Sequence, residues 1–253
     1  MFSKIKNILK PFIPYSVLQA RRRLLHKRTV CVHDTIFENK NPRYIFSEIY
    51  DRGLWGKADK SDQFFSGHGS HLADHVDPYI TAISEFLQSA APPNVVDLGC
   101  GDFNVGCQIR PYCARYVACD IVPKLIAYNK EKFRRLDVDF RCVDIIEDPL
   151  PEGDVVIIRQ VLQHLSNKHI ERVLNKLKLY KYVVLTEFVP EGEFIPNIDQ
   201  PTGSFSRLAR GIHSGVVLTR DPFLLKVKSE RTICRTLEPL GFVTTIVYDL
   251  MEN

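Results

Sequence analysis

From residue 94 onward, short apolar runs alternate with amphipathic stretches. NVVDLG reads as a first strand, NVGCQIRPYC as the start of a helical crossover, and YVACDI as a second strand. PKLIAYNKEKFRRL places Leu125, Ile126, Asn129 and Phe133 on neighbouring turns, the spacing of an amphipathic helix. VDFRCVDI is a third strand. GDVVIIRQ is a fourth, and its unbroken Val-Val-Ile-Ile run suits a strand buried on both faces of a parallel sheet. SNKHIERVLNKLKLY, N-capped by Ser166 or Asn167, and YVVLTEF add a helix and a fifth strand.

This alternation implies an α/β fold with a doubly wound, mostly parallel sheet of the Rossmann-like kind. Residues 94–253 are expected to form that domain, residues 34–93 a helical and loop extension over the ligand site, and residues 1–33 a separate arm. Residues 189–225 are rich in turn formers and read as an insertion on the acceptor side. A helix near Lys228 to Pro239 and a last strand, FVTTIVYDL, are expected after it.

Charge divides the chain unevenly. Residues 1–33 hold eight lysines and arginines and no acid, which leaves 26 basic against 30 acidic residues, or −4, for the remainder. A mildly acidic body argues against a nucleic-acid surface, which needs clustered basic residues on the folded face. In the arm, Phe2, Ile5, Ile8 and Leu9 stand at helical spacing among lysines, so residues 1–28 suit peripheral contact with an anionic membrane surface or packing on their own domain. Its longest uncharged run, 11–20, contains two prolines and is no membrane span. Seven cysteines without a C-x-x-C pair fit reduced thiols and a cytoplasmic place, peripheral at the inner membrane surface if the arm binds there; Cys100, Cys119 and Cys142 read as core residues.

The chemistry centres on the turn after the first strand, NVVDLGCGDFNVG. In doubly wound sheets the ligand lies outside the strand ends where strand order reverses, and Gly99 and Gly101 let the backbone turn sharply there. The dinucleotide fingerprint G-x-G-x-x-G would need glycine at 104, where Asn104 stands. Asp97 precedes the glycines, and an acid there would repel the pyrophosphate of a nicotinamide oxidoreductase, the rival reading. Asp97-Leu98-Gly99-Cys100-Gly101 closely resembles motif I of the class I S-adenosylmethionine-dependent methyltransferases.

That resemblance implies S-adenosylmethionine as cofactor, with Asp97 facing its amino-acid portion and Gly99 and Gly101 passing its ribose. Asp102 and Phe103 continue the turn, and family members often carry a third glycine where Phe103 stands. It further implies that Asp120, with Ile121, meets the ribose hydroxyls and that Asp144, with Ile145, meets the adenine. Upstream, Trp55-Gly56 and Ser66-Gly67-His68-Gly69-Ser70 resemble a W-G and S-G-x-G-S segment of a bacterial subgroup associated with glycan or small-molecule modification, so Trp55, Gly67, Gly69 and Ser70 join the cofactor candidates.

Methyl transfer to a hydroxyl needs alignment and a proton acceptor. His164, just past the fourth strand in RQVLQHLSN, is the base candidate; a histidine that merely caps a helix end is the bland alternative. Arg159 and Gln160 at the same strand end are expected to line the pocket. Asn197, Asp199, Arg207 and His213 are candidate acceptor contacts. His71 and His75 lie four apart with His68 and Asp74 nearby, but no closed-site spacing supports a metal, and none is expected. The expected function is O-methylation of a small molecule or glycan; a non-catalytic binding module of the same fold is the third reading.

Overall fold

The computed structural model describes residues 15–57, 62–90 and 93–251. Two compact units divide it, residues 1–38 and 39–253. In the first, helix α1 (Tyr15–Phe37) leaves Leu24, Leu25 and Val32 exposed. The apolar positions Phe2, Ile5, Ile8 and Leu9 lie outside the described residues. Among those described, no helix is long and apolar enough to cross a membrane.

In the second unit, helices α2 (Pro42–Asp51) and α3 (Ala73–Ser89) precede strand β1 (Asn94–Leu98). Then come α4 (Gly106–Ile109), β2 (Arg115–Asp120), α5 (Pro123–Lys132), β3 (Asp139–Cys142) and β4 (Val155–Arg159). Helix α6 (Asn167–Leu177) and strands β5 (Tyr182–Pro190), β6 (Val227–Glu238) and β7 (Gly241–Leu250) complete it. The seven strands run in the order β3-β2-β1-β4-β5-β7-β6. The first five are parallel, while β7 runs antiparallel to both β5 and β6.

Successive residues of a strand face opposite sides of a sheet, and both sides are covered here. Val96, Leu98, Val156, Ile158, Val183 and Leu185 join the apolar stripe of α6, Ile170, Val173, Leu174 and Leu177, in one buried cluster. On the other side Val95, Val155, Ile157 and Val184 pack with Val76, Tyr79, Ile83 and Leu87 of α3. Strand order reverses at β1, whose neighbours are β2 and β4, and this opens a crevice at their carboxyl ends.

Some expectations fail. Residues 227–238 form β6, not a helix, because Thr232, Ile233 and Thr236 favour extended backbone and the segment pairs with β7 through a hairpin. Strand β3 ends at Cys142, so Asp144 stands in the turn beyond it, and Cys142 itself is exposed. Ser166, one of the two expected residues, is the N-cap of α6, though its side chain makes no capping bond.

Candidate active site

A cavity of about 330 Å³ opens at that crevice. Asp97, Gly99, Gly101, Asp102, Asp120, Ile121, Asp144 and Ile145 border it from the ends of β1, β2 and β3. Arg159, Gln160 and His164 reach it from the end of β4, and Trp55, Gly67, Gly69 and Ser70 from the upstream loop. Phe103 does not. Its backbone has φ +61, and its ring is fully buried, edge-on to Tyr116 and Phe140 at 5.6 and 4.8 Å. It fills the core beneath the turn rather than bordering the ligand space.

The glycines are needed for close approach as well as for their dihedrals. A Cβ on Gly99, at φ +82, would stand 2.4 Å from Val161 Cγ2, and one on Gly101, at φ +56, the same distance from Ser66 Oγ. Asp102 ties the upstream loop to this turn: its Oδ2 accepts from Ser66 N at 2.8 Å and pairs with His71 Nε2 at 2.7 Å, while its own N–H donates to Ser66 Oγ. His71 therefore lies before α3, which starts at Ala73, and His75 instead faces Glu238 at 3.2 Å. The two histidines share no helix face, and among the described residues no cluster of three such groups could hold a metal.

The electrostatics are dominated by burial. Desolvation pushes Asp97 up to about 7, with Tyr116, whose hydroxyl donates to Asp97 Oδ2 at 2.9 Å, pulling the other way. Asp120 is pushed up to about 6 for the same reason, against the N–H groups of Gly101 and Val122 that donate to it at 3.1 and 3.0 Å. The Arg159 guanidinium is held over the Tyr79 ring at 4.8 Å, donates to Gly69 O and Ser70 Oγ, and leaves its buried Nε without a partner. Burial also drives His164 down to about 4, so its ring is neutral at physiological pH.

Residues 96–180 match the sequence profile of a methyltransferase domain. That segment carries a methyltransferase domain on a Rossmann-like, mostly parallel sheet. Among solved structures, the N-methyltransferase NodS from Bradyrhizobium japonicum WM9, in complex with S-adenosyl-L-homocysteine, is similar at TM-score 0.52 and 15% identity over 69% of this chain and 86% of that one. Magnesium protoporphyrin IX methyltransferase from Synechocystis PCC 6803, with bound S-adenosylmethionine, is similar at TM-score 0.56 and 15% identity over 85% and 99%. At such identities these two establish the shared fold. No curated protein sequence matches.

The far end of the methyltransferase cavity was only partly foreseen. Trp55 packs at 5.0 Å from the His164 ring, and its Nε1 donates to Ser204 O at 2.9 Å. Ser204, Ser206 and Ala209 of the insertion border the cavity, as do Phe46, Tyr50 and Gln163. The insertion residues singled out from the sequence do not. Asn197 is buried and binds the backbone of Val217 and Asp221, Asp199 accepts from the N–H of Asn167 and Gln200, Arg207 is buried, and His213 is exposed. The polar groups of Asn197, Asp199 and Arg207 tie the insertion to itself and to the start of α6.

Proposed function

We propose that the enzyme methylates a hydroxyl oxygen on a small molecule or glycan. The observation that carries this reading is a single cavity joining the carboxylates of Asp97, Asp120 and Asp144 to a neutral wall of Trp55, Gln163, His164, Ser204 and Ser206. Such a wall, of hydroxyls, an amide and aromatic rings, suits a hydroxylated acceptor better than a cationic one.

The residues fit the cofactor. Asp97 is raised to about 7 by burial although Arg159 and the Tyr116 hydroxyl oppose the shift, so a closer cation would stabilise its carboxylate, and the cofactor's ammonium group would provide one. Arg159, which borders the cavity, would complement the carboxylate of the same amino-acid portion through its charge. Asp120 accepts one backbone N–H on each oxygen and keeps lone pairs for the ribose hydroxyls, while Asp144 and Ile145 would hold the adenine. S-adenosylmethionine supplies a methyl group on a sulfonium, electrophilic without further activation. Trp55 and His164 then bound the acceptor. His164, neutral above about pH 4, is competent to take the hydroxyl proton, but so weak a base contributes less than alignment does. Residues 1–28, with their excess of basic charge, would bring the enzyme to an anionic membrane surface where the acceptor requires it.

Incubation with S-adenosylmethionine and a panel of hydroxylated compounds and glycans, followed by mass analysis, tests this. The expected product gains one methylene unit and resists periodate oxidation at the methylated position. Methylation confined to amines or thiols would overturn the oxygen assignment.

A further inference from the structure

Residues 160–167 leave β4, carry Gln163 and His164 along the cavity wall and enter α6. Strand β5 meets this segment one residue after another. Thr186 O accepts from Gln160 N at 2.7 Å, Glu187 Oε1 from Leu162 N at 3.0 Å and Glu187 Oε2 from Gln163 N at 2.9 Å, and Phe188 N donates to Gln163 Oε1 at 3.1 Å. At the other end Arg207 Nη2 donates to Leu165 O at 3.4 Å and to Asn167 Oδ1 at 2.7 Å, while its Nε donates to Ile198 O. Glu187 and Arg207 are 2% and 1% exposed, and neither borders the cavity.

A helical turn begins with free N–H groups and ends with free carbonyls, so an anion at its start and a cation at its end match both. Burying ionisable groups is costly, and these two make no direct bond to each other: Glu187 bonds the backbone at the start of the segment, and Arg207 bonds Leu165 O and the Asn167 side chain at its end while anchoring to Ile198 O. We propose that Glu187 and Arg207 are positioning residues for the transfer reaction, clamping 160–167 so that His164 stands against Trp55 at the acceptor end. The proposal rests on the reading that this end receives the acceptor.

The charge of the clamp is set locally. Burial pushes Glu187 up to about 8, against the pull of Arg207 and of the backbone N–H groups of residues 161–163. Arg207 faces it from the insertion and Tyr248 from β7, while His164 lies on the clamped turn. The anionic form, which both N–H groups favour, therefore gains population as pH rises through about 8.

Trp55 is the sole tryptophan, so one indole N–H signal in a nitrogen-15 correlation spectrum reports on the site. The spectrum is taken of the full chain as wild type, His164→Ala, Glu187→Gln and Arg207→Met, with Glu187→Asp and Arg207→Lys where the first replacements fail to fold. Loss of the His164 ring moves the signal, and Glu187→Gln and Arg207→Met are expected to move it comparably. The conservative variants are expected to move it less. In wild type the signal should titrate between about pH 7 and 9, and Glu187→Gln should abolish that titration. Affinity for S-adenosylhomocysteine, measured by calorimetry on the same samples, should stay within about twofold, as independent sites require. An indole signal unchanged in folded variants at both positions, or a titration that survives Glu187→Gln and also Glu187→Gln combined with Asp97→Asn, overturns the clamp. Absence of S-adenosylhomocysteine binding in wild type would instead overturn the cofactor reading, with the indole signal still deciding the clamp.

Discussion

The carboxylates at 97, 120 and 144 stand at or just past the ends of three adjacent strands, each one strand–crossover unit after the last. The Trp55–His164 end is assembled instead from the upstream loop, the turn after β4 and the insertion, and the bond from Trp55 Nε1 to Ser204 O spans 149 residues. One half of the cavity thus follows from the topology of the sheet, which any chain with these alternating patterns shares. The other half depends on contacts between segments far apart in the chain, and the acceptor end proposed above lies there.

If the cofactor half is so built, its most sensitive point is the glycine turn. Gly99→Ala forces a Cβ against Val161 at 2.4 Å in a backbone conformation that favours glycine, and it is expected to weaken S-adenosylmethionine binding by about 30-fold or more. Near-normal affinity in calorimetry would show that the turn lies away from the ligand.

The second effect is one of pH. Asp97 is raised to about 7, so below that value a cationic ligand must displace a proton to pair with it. Affinity for S-adenosylmethionine should rise as pH increases from about 5.5 to 7.5, by up to tenfold per unit at the acid side, and level off above. Asp97→Asn should lower the affinity and flatten the profile; a steep profile retained in that variant would move the titrating group elsewhere.

The smallest effect on the cofactor is expected from the insertion. Asn197→Ala removes bonds to Val217 N and to the carbonyls of Val217 and Asp221, costing about 2 to 3 kcal/mol of stability, yet cofactor affinity of the folded protein should not change. A proportionate loss of cofactor affinity would mean that the two halves are coupled.

The same contrast explains what the sequence could tell. Five parallel strands and three acids are local features, each visible in the spacing of apolar runs and in the residue that ends a strand. Phe103 was misplaced because counting along motif I gives a position but not a side-chain direction, and its φ of +61 sends the ring into the core. The segment from Lys228 to Pro239, expected to be a helix, is a strand as far as Glu238 because pairing with β7 decides its state. Asn197, Asp199 and Arg207 have the composition of a binding surface yet bond to backbone groups within the fold, Asn197 and Arg207 from buried positions and Asp199 from an exposed one, a distinction that only three-dimensional contacts make. Glu187 gave no signal at all, since one acid within YVVLTEF carries no period or motif.

Calorimetric titration of the full chain with S-adenosylmethionine and with NAD, repeated on Asp120→Ala, tests most directly whether the strand-end carboxylates form a sulfonium-nucleoside site. Binding of S-adenosylmethionine alone is predicted, weakened about 10- to 100-fold by Asp120→Ala through loss of two charge-assisted hydrogen bonds to the ribose. Binding of NAD in place of S-adenosylmethionine, or an affinity indifferent to Asp120, would contradict the account.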